Sequence, residues 1–419
     1  MNVVEKILAA HSDKDTVEPG EIVDVSLDYI MANDATTALA IDIFEKEIGA
    51  DRVFDPSKVV IVMDHYTPSS SESAADNHNK MRDFCARQQI KHVYDGAGVC
   101  HQLMLENHVV PGQLIIGADS HTCTYGALGA LSTGMGSTDI AIAWSSGKIW
   151  MKAPKTIKII AEGKWNYGVC AKDLILKVIG DLKANGATYK ALVFEGEAIL
   201  GLNVSERATL CNMAIEAGAK FAYIQPNDQV LQYIREKGRT EFDVFADDPD
   251  AEYEKTWCYD VSCLIPQIAA PYSVDNVFDI TEFEGMKLNA LFLGACTNGR
   301  YEDIETAAEI LRGMRISSSV RLLVTPASRQ IYINALENGL LKDLMESGAM
   351  ISNPGCSACF GGTVGLLGNG EKMLSTANRN FKGRVGSPFG EVYLASPAVV
   401  AASALTGVIT RPSQKELEI

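Results

Sequence analysis

Positive charge is scarce in this sequence and long hydrophobic runs are missing. Its 419 residues carry 37 Lys and Arg against 53 Asp and Glu, a formal charge of −16. Nucleic acids and anionic membrane surfaces are gripped by basic faces, and no basic stripe interrupts the acidic balance, so neither is expected as the main partner. The longest apolar runs, such as the one around Leu114–Gly117, fall well short of the ~18–20 residues that cross a bilayer. The N-terminal MNVVEKILAAHSDKD is charged and amphipathic. It lacks the apolar core and small-residue cleavage site of a signal peptide, which points to a cytoplasmic protein. Internal repeats and low-complexity tracts are absent, and histidine is limited to seven residues.

What is present describes a large globular chain. Hydrophobic residues make up 47% of it, far too many for disorder. At about 100–200 residues per domain, the length corresponds to two to four domains. Apolar runs alternate with amphipathic stretches. Lys58–Met63, Gln113–Gly117, Thr156–Ala161, Leu288–Gly294 and Arg321–Thr325 read as buried strands. Asn79–Gln89, Tyr301–Arg312 and Ser328–Asn338 read as helices. Continuous apolar strands separated by helices predict an α/β fold with mainly parallel sheets. Lys152–Lys155 and the acidic run near Asp279–Glu284 mark boundaries, giving three units at 1–150, 151–284 and 285–419. The charged tail Ser413–Ile419 is expected to fray.

Ten cysteines need a reading in a reducing compartment, where a disulfide framework is not expected. Most sit singly among apolar neighbours, as small buried hydrophobes do. Cys356 and Cys359 are different, being three apart on a glycine- and serine-rich loop after a strand end. Cys296 follows another strand end. Three thiolates on loops of small residues suit an iron–sulfur cluster with one iron left open, and a fourth cysteine for a closed zinc site is not evident. A redox dithiol and plain core thiols remain open readings.

Asp64-His65 and Asp119-Ser120-His121 place acids beside imidazoles at strand ends, where open α/β sheets bind ligands. A carboxylate beside an imidazole raises its basicity and fixes its tautomer. His101 sits near a glycine-rich segment. His11, His78, His92 and His108 read as solvated or core-satisfied. The glycine-rich stretches Gly126–Gly136 and Gly365–Lys372 fit neither a dinucleotide fingerprint nor a phosphate loop, so close helix packing is the expected use of both. Ser120 is not in a G-x-S-x-G elbow, which argues against a hydrolase triad. Arg379 and Arg384 offer guanidinium forks for a carboxylate.

Taken together, these residues resemble the aconitase superfamily, and within it the large subunits of 3-isopropylmalate dehydratase and their homoaconitase-like relatives. The resemblance runs through Asn33–Thr36, Asp64-His65, Gly98–Gln102 (GVCHQ), Gly117–Thr122 (GADSHT), Gly134–Asp139, Cys211–Gly218, Gly294–Asn298 (GACTN), Asn353–Cys359 (NPGCSAC), Asn378–Phe381 and Gly383-Arg384. It implies three α/β/α domains around a central iron–sulfur site. It also implies a [4Fe–4S] cluster held by Cys296, Cys356 and Cys359, and acid–imidazole pairs of Asp64 with His65, Asp119 with His101, and Glu216 with His121. Asn33, Ser120, Asn212, Asn378, Arg379 and Arg384 are the implied substrate-binding residues. Asn33 stands where aconitases proper carry glutamine. Asn212 and Glu216, four apart, are expected on one helix face.

The implied reaction is dehydration and isomerisation of a hydroxy-dicarboxylate. The leading substrate is 3-isopropylmalate, in leucine biosynthesis, with homoaconitate, citramalate or another methylmalate, and 2,3-dimethylmalate as alternatives. In the family, the catalytic serine belongs to a further mobile domain that nothing in this sequence matches. A separate small subunit is therefore the expected partner, and the chain alone is expected to be nearly inactive. An RNA-binding apo protein is the remote rival, and the acidic charge weighs against it.

Overall fold

The computed structural model describes residues 1–413, which form two compact units. Of the tail expected to fray, all but Ser413 lies outside the described residues. The first unit comprises 1–95, 103–161 and 187–259, and the second 96–102, 162–186 and the chain from Asp260 onward. No helix among the described residues is long and apolar enough to cross a membrane.

The first unit is organised by a five-stranded parallel sheet in the order His92–Asp95, Val59–Met63, Tyr29–Asn33, Leu114–Gly117, Leu131–Gly134. Val59–Met63 is five consecutive apolar residues, buried along its whole length, as a strand covered on both faces requires. From Tyr29–Asn33 the chain steps outward on one side, then returns to the other side with Leu114–Gly117. That reversal is a switch point, and the carboxyl ends flanking it release Asn33-Asp34 and Ala118-Asp119. Asp64-His65 leave the adjoining strand.

Helices Glu72–Gln88 and Ser137–Ser146 cover this sheet through an aromatic core of Phe44, Phe84 and Trp144, with centroids 5.4–6.2 Å apart. The first of these helices begins seven residues earlier than its apolar pattern suggests. Its first turns are polar (ESAADNHN), and the Ser71 hydroxyl starts it by accepting the Ala74 N–H at 3.2 Å. The unit also carries a sheet in the order Phe221–Ile224, Ala191–Glu195, Thr156–Glu162, Lys255–Asp260, and an antiparallel ribbon of Ile22–Ser26 with Lys148–Lys152.

Gly126–Gly136 lies in close packing, but its tightest approaches are to strand and loop backbone as well as to a helix. Gly126 lies in the 3₁₀ segment Ser120–Leu128, which packs on the strand Phe221–Ile224 and on helix Val204–Met213. A Cβ at Gly126 would fall 1.9 Å from the Ala222 carbonyl oxygen. A Cβ at Gly134 would fall 2.6 Å from the carbonyl oxygen of Asp119. Both glycines permit backbone to approach backbone beneath the site. Gly365–Lys372 is not helical; Gly365, at φ +78°, sits against Ala358 and Leu323.

The second unit is built on a seven-stranded sheet in the order Val277–Asp279, Gln267–Ala269, Glu391–Leu394, Lys372–Ser375, Ala290–Leu293, Arg321–Val324, Met350–Ile351. All pairs are parallel except those made by Gln267–Ala269. Here the order reverses between Ala290–Leu293 and Lys372–Ser375, whose carboxyl ends release Cys296 and the turn Thr376–Asn378. Met350–Ile351 leads into the loop of Cys356 and Cys359. The sheets fall at 29–134, 156–260 and 267–394; a boundary near 150 matches the first gap and is kept as a proposal about sheet modules, whereas 284 falls inside the third sheet, after its strands Gln267–Ala269 and Val277–Asp279.

Gly126→Ala is expected to lower the urea midpoint by the equivalent of about 1–3 kcal/mol or more, as overpacking does. Gly201→Ala, whose Cβ would meet only the Glu197 carbonyl oxygen at 3.8 Å, is expected to stay within roughly 0.5 kcal/mol of the parent. Equal midpoints for the two would show that the close approach at Gly126 is not needed.

Candidate active site

The first unit gathers its acids and imidazoles into one chain of contacts. His65 Nδ1 lies 2.7 Å from Asp64 Oδ1, and its Nε2 lies 3.6 Å from Asp119 Oδ2. The other Asp119 oxygen accepts the His121 backbone N–H at 2.8 Å and lies 3.4 Å from His121 Nδ1. His121 Nε2 is 2.8 Å from Glu216 Oε1. Asp119 thus stands between two imidazoles, each backed by a further carboxylate. Burial disfavours the imidazolium of His65, but the charges of Asp64, Asp119 and Asp34 and the bond to Asp64 outweigh it, raising the pKa to about 9. At neutral pH this ring holds its proton.

Asp34 explains why the Asp64 turn has its shape. One of its oxygens accepts the N–H groups of Asp64 (3.3 Å) and His65 (2.9 Å), and the other accepts the Tyr66 N–H at 2.9 Å and faces His78 Nε2 at 2.8 Å. Asp34, Asp64 and His65 bring ligand atoms within 4.8 Å of one another, as a metal site would. Those oxygens are already occupied by backbone donors and imidazoles, so the cluster reads as a hydrogen-bonded anchor. His78 is buried with both ring nitrogens paired, to Ser69 Oγ at 3.0 Å and to Asp34, which is the core-satisfied alternative of its two expected readings. Its place at the i+4 step from Ala74, with Met81 and Phe84 beyond, was the available signal.

Asn212 and Glu216 are not on one helix. The α-helix ends at Met213 and Glu216 belongs to the 3₁₀ turn Ala214–Ala217. Both still reach the same segment, since Asn212 Nδ2 donates to Thr124 Oγ1 at 2.8 Å while Glu216 meets His121. Asn33 is buried and donates to Asp119 Oδ2 at 3.2 Å. Ser120 is half-buried at the start of the same 3₁₀ segment.

The second unit gathers the cysteines. Cys296, Cys356 and Cys359 are all buried. The Asn378 carboxamide touches two of them, donating from Nδ2 to Cys296 Sγ at 3.3 Å and accepting the Cys359 thiol at 3.4 Å. The backbone is strained at both loops, with φ +69° at Ala295 and +50° at Ser357, neither of them glycine. Arg300 closes the Cys296 turn. Its guanidinium donates to the carbonyls of Thr297 (2.6 Å) and Cys296 (2.5 Å), and to Gln102 Oε1 at 2.9 Å. A buried three-thiol set on strained loops, with an amide N–H donated to the Cys296 sulfur, fits an iron–sulfur cluster with one position left to a non-protein ligand.

The remaining predicted residues fall on this side. His101 lies in the segment 96–102, which joins the second unit through Val99 N–H to Ala327 carbonyl (2.8 Å) and Arg329 N–H to Ala97 carbonyl (2.7 Å). Asp119, its implied partner, belongs to the first unit. Arg384 Nε donates to the Cys359 carbonyl at 2.9 Å and its guanidinium lies 5.2 Å from the Phe360 ring centroid, so it braces the cysteine loop. Arg379 lies over Phe381, 5.7 Å from the centroid. The other seven cysteines form no disulfide. Burial pushes the Cys85 and Cys123 thiols up to about 12, leaving them inert as nucleophiles.

The sequence profile of the aconitase family (aconitate hydratase) matches residues 5–407. The chain belongs to the aconitase family. A protein named probable 3-isopropylmalate dehydratase large subunit, from Methanothermobacter thermautotrophicus, is 50% identical over 98% of this chain and 99% of its own. A 3-isopropylmalate dehydratase large subunit 1 from Methanopyrus kandleri is 48% identical over 98% of each chain. A probable methanogen homoaconitase large subunit from Methanothermobacter thermautotrophicus is 45% identical over 99% of this chain and 98% of its own. The crystal structure of Thermococcus kodakaraensis aconitase X, holo-form, superposes over 99% of this chain and 94% of that one, with a TM-score of 0.54. At 12% identity that likeness is one of fold, an α/β architecture with mixed sheets.

In this aconitase-family chain the raised His65 makes a pH test. Its proton stabilises the fold in full below about pH 6.5, the value in an unfolded chain. The contribution disappears as pH rises through about 9. The loss is on the order of 3 kcal/mol at most, since each tenfold change in proton affinity is worth roughly 1.4 kcal/mol. Urea unfolding of wild type and His65→Gln between pH 6 and 10 measures it. The variant is expected to lose this slope, and identical slopes would contradict the assignment.

Proposed function

We propose that this chain is the cluster-bearing large subunit of a hydro-lyase that isomerises 2-isopropylmalate and 3-isopropylmalate by dehydration and rehydration. The observation that carries the chemistry is the Asn378 amide spanning the sulfurs of Cys296 and Cys359 beside the third buried thiol, Cys356. The substrate is proposed from relatives of 47–50% identity that carry the 3-isopropylmalate dehydratase name. Homoaconitate is the second reading, resting on the 45% identical homoaconitase large subunit.

A [4Fe–4S] cluster on Cys296, Cys356 and Cys359 would supply a Lewis acid for the substrate hydroxyl. Hydroxide is a poor leaving group, and this chain contributes a proton. His65 carries it on Nε2, with Asp64 fixing Nδ1, and hands it to the departing oxygen. Asp119 stabilises the charged ring and links it to His121, which Glu216 orients. His101 is a further acid–base candidate on the cysteine side. Asn33, Ser120, Asn212, Arg379 and Arg384 are proposed to orient substrate. Arg384 donates from Nε to the Cys359 carbonyl, and its guanidinium is the type of fork that pairs with a carboxylate. The base that removes the carbon-bound proton is assigned to a small-subunit partner, which the large-subunit names of the relatives also suggest.

Co-expression with the neighbouring small-subunit reading frame and a panel of malates tests the reading. Unsaturated product from 3-isopropylmalate is expected only when both chains are present; turnover of another malate with none of this one would overturn the substrate. Cys356→Ser, purified anaerobically, is expected to lose iron and sulfide while keeping its far-UV circular dichroism. One tightly bound zinc and no sulfide in the wild type would sink the cluster. His65→Asn is expected to lower kcat by about 10²–10⁴, the usual worth of a general acid.

A further inference from the structure

Lys172 is buried completely, on helix Ala171–Leu182 of the second unit. Its ammonium donates to the carbonyl of Thr376 at 2.7 Å, to that of Ala377 at 2.8 Å and to Asn298 Oδ1 at 3.4 Å. No carboxylate is among these acceptors. The neighbouring Asp173 is turned away, accepting the backbone N–H groups of Cys170 and Gln267. A buried cation held only by neutral oxygens is expensive, and chains retain one where an anion balances it or where its hydrogen bonds are needed.

Both conditions meet at the cysteines. The turn that Lys172 grips, Thr376-Ala377, is followed at once by Asn378, whose amide meets Cys296 and Cys359. Asn298, its third acceptor, donates to Asp303 Oδ1 at 2.9 Å, and Asp303 accepts the Arg300 N–H at 2.9 Å. Arg300 holds the Cys296 carbonyl. A single buried ammonium therefore ties together the two turns released at the sheet's switch point. Burial pushes Lys172 down to about 8, while Cys170, Cys359, Asp303 and Asp173 act in the opposite direction, so a cysteine sulfur is among the groups that feel its charge.

We propose that Lys172 is the positioning and charge-balancing residue of the three-cysteine site: it fixes the turn that aims Asn378 at the sulfurs, and its charge offsets that of the thiolates. The inference rests on the reading that Cys296, Cys356 and Cys359 hold an iron–sulfur cluster. Its action on substrate is indirect, through Asn378 and the sulfurs. Hydrogen bonds to sulfur and nearby positive charge are both levers on a cluster's affinity and potential. Removing the charge disfavours the reduced, more negative state, so the midpoint potential should move negative.

The test uses the full-length chain reconstituted anaerobically as wild type, Lys172→Met, Lys172→Arg and Asn378→Ala. Iron and sulfide content, the rate of iron loss to a chelator, the electron paramagnetic resonance spectrum and the midpoint potential are read for each. Lys172→Met is expected to release iron about 10–100-fold faster, the usual cost of losing a supporting contact at a metal site, with a more negative potential. Lys172→Arg, which keeps the charge, is expected to retain most of the wild-type potential. Asn378→Ala is expected to change the spectrum and release rate in the same direction with Lys172 intact, so the proposal can fail even if Lys172→Met does not fold. Wild-type release, spectrum and potential in Lys172→Met, or an unaltered spectrum and release in Asn378→Ala, would overturn it. A wild type that takes up no iron and sulfide would instead overturn the cluster reading, and the proposal with it.

Discussion

Everything functional in this chain depends on where parallel strands end. A crossover connection returns each parallel strand to the same edge, so all carboxyl termini open toward one side, and the reversal of strand order leaves a gap there for side chains. The structure uses this constraint twice. In the first unit the reversal between Tyr29–Asn33 and Leu114–Gly117 releases Asn33, Asp34 and Asp119. In the second, the reversal between Ala290–Leu293 and Lys372–Ser375 releases Cys296 and Asn378. The two sets differ in kind: carboxylates and imidazoles in one, thiols and an amide in the other.

Strand ends alone do not fix side chains. The loops carry carbonyls and N–H groups that burial leaves in need of partners, and a few buried charged residues satisfy several at a time. Asp34 collects three backbone N–H groups of the Asp64–Tyr66 turn. Arg300 collects two carbonyls of the Cys296 turn, and Lys172 two of the turn before Asn378. In each case a charge with no place in the proposed proton transfers sets the shape of a loop that holds a reacting group. Glycine does the complementary work, letting backbone pass at Gly126 and Gly134 where any side chain would collide.

The sequence made the local parts of this legible. Strand runs such as Lys58–Met63 and Gln113–Gly117 were within a residue of their observed bounds because continuous β-branched stretches have few alternatives. The three cysteines stood out by spacing and by their small neighbours. The pairing of His121 with Glu216, 95 residues apart, came from the family resemblance, and the helix-face argument for Asn212 and Glu216 failed because the helix tightens to a 3₁₀ turn after Met213. Asp34 lay inside a motif but was given no role, because its partners are backbone groups that composition cannot show. Lys172 sits in a run, AKDLILK, that reads as an ordinary amphipathic helix with lysines in water. Only tertiary packing turns that residue inward, and no local periodicity records it.

The central claim is that three thiolates of this chain hold four irons and leave one of them for the substrate. Mössbauer spectroscopy of the ⁵⁷Fe-reconstituted chain, assembled with its small-subunit partner and recorded with and without 3-isopropylmalate, tests it most directly. The account expects a four-iron cluster in which the signal of one iron alone shifts on adding substrate. Four irons that ignore the substrate, or a preparation in which no cluster forms on these cysteines, would contradict it.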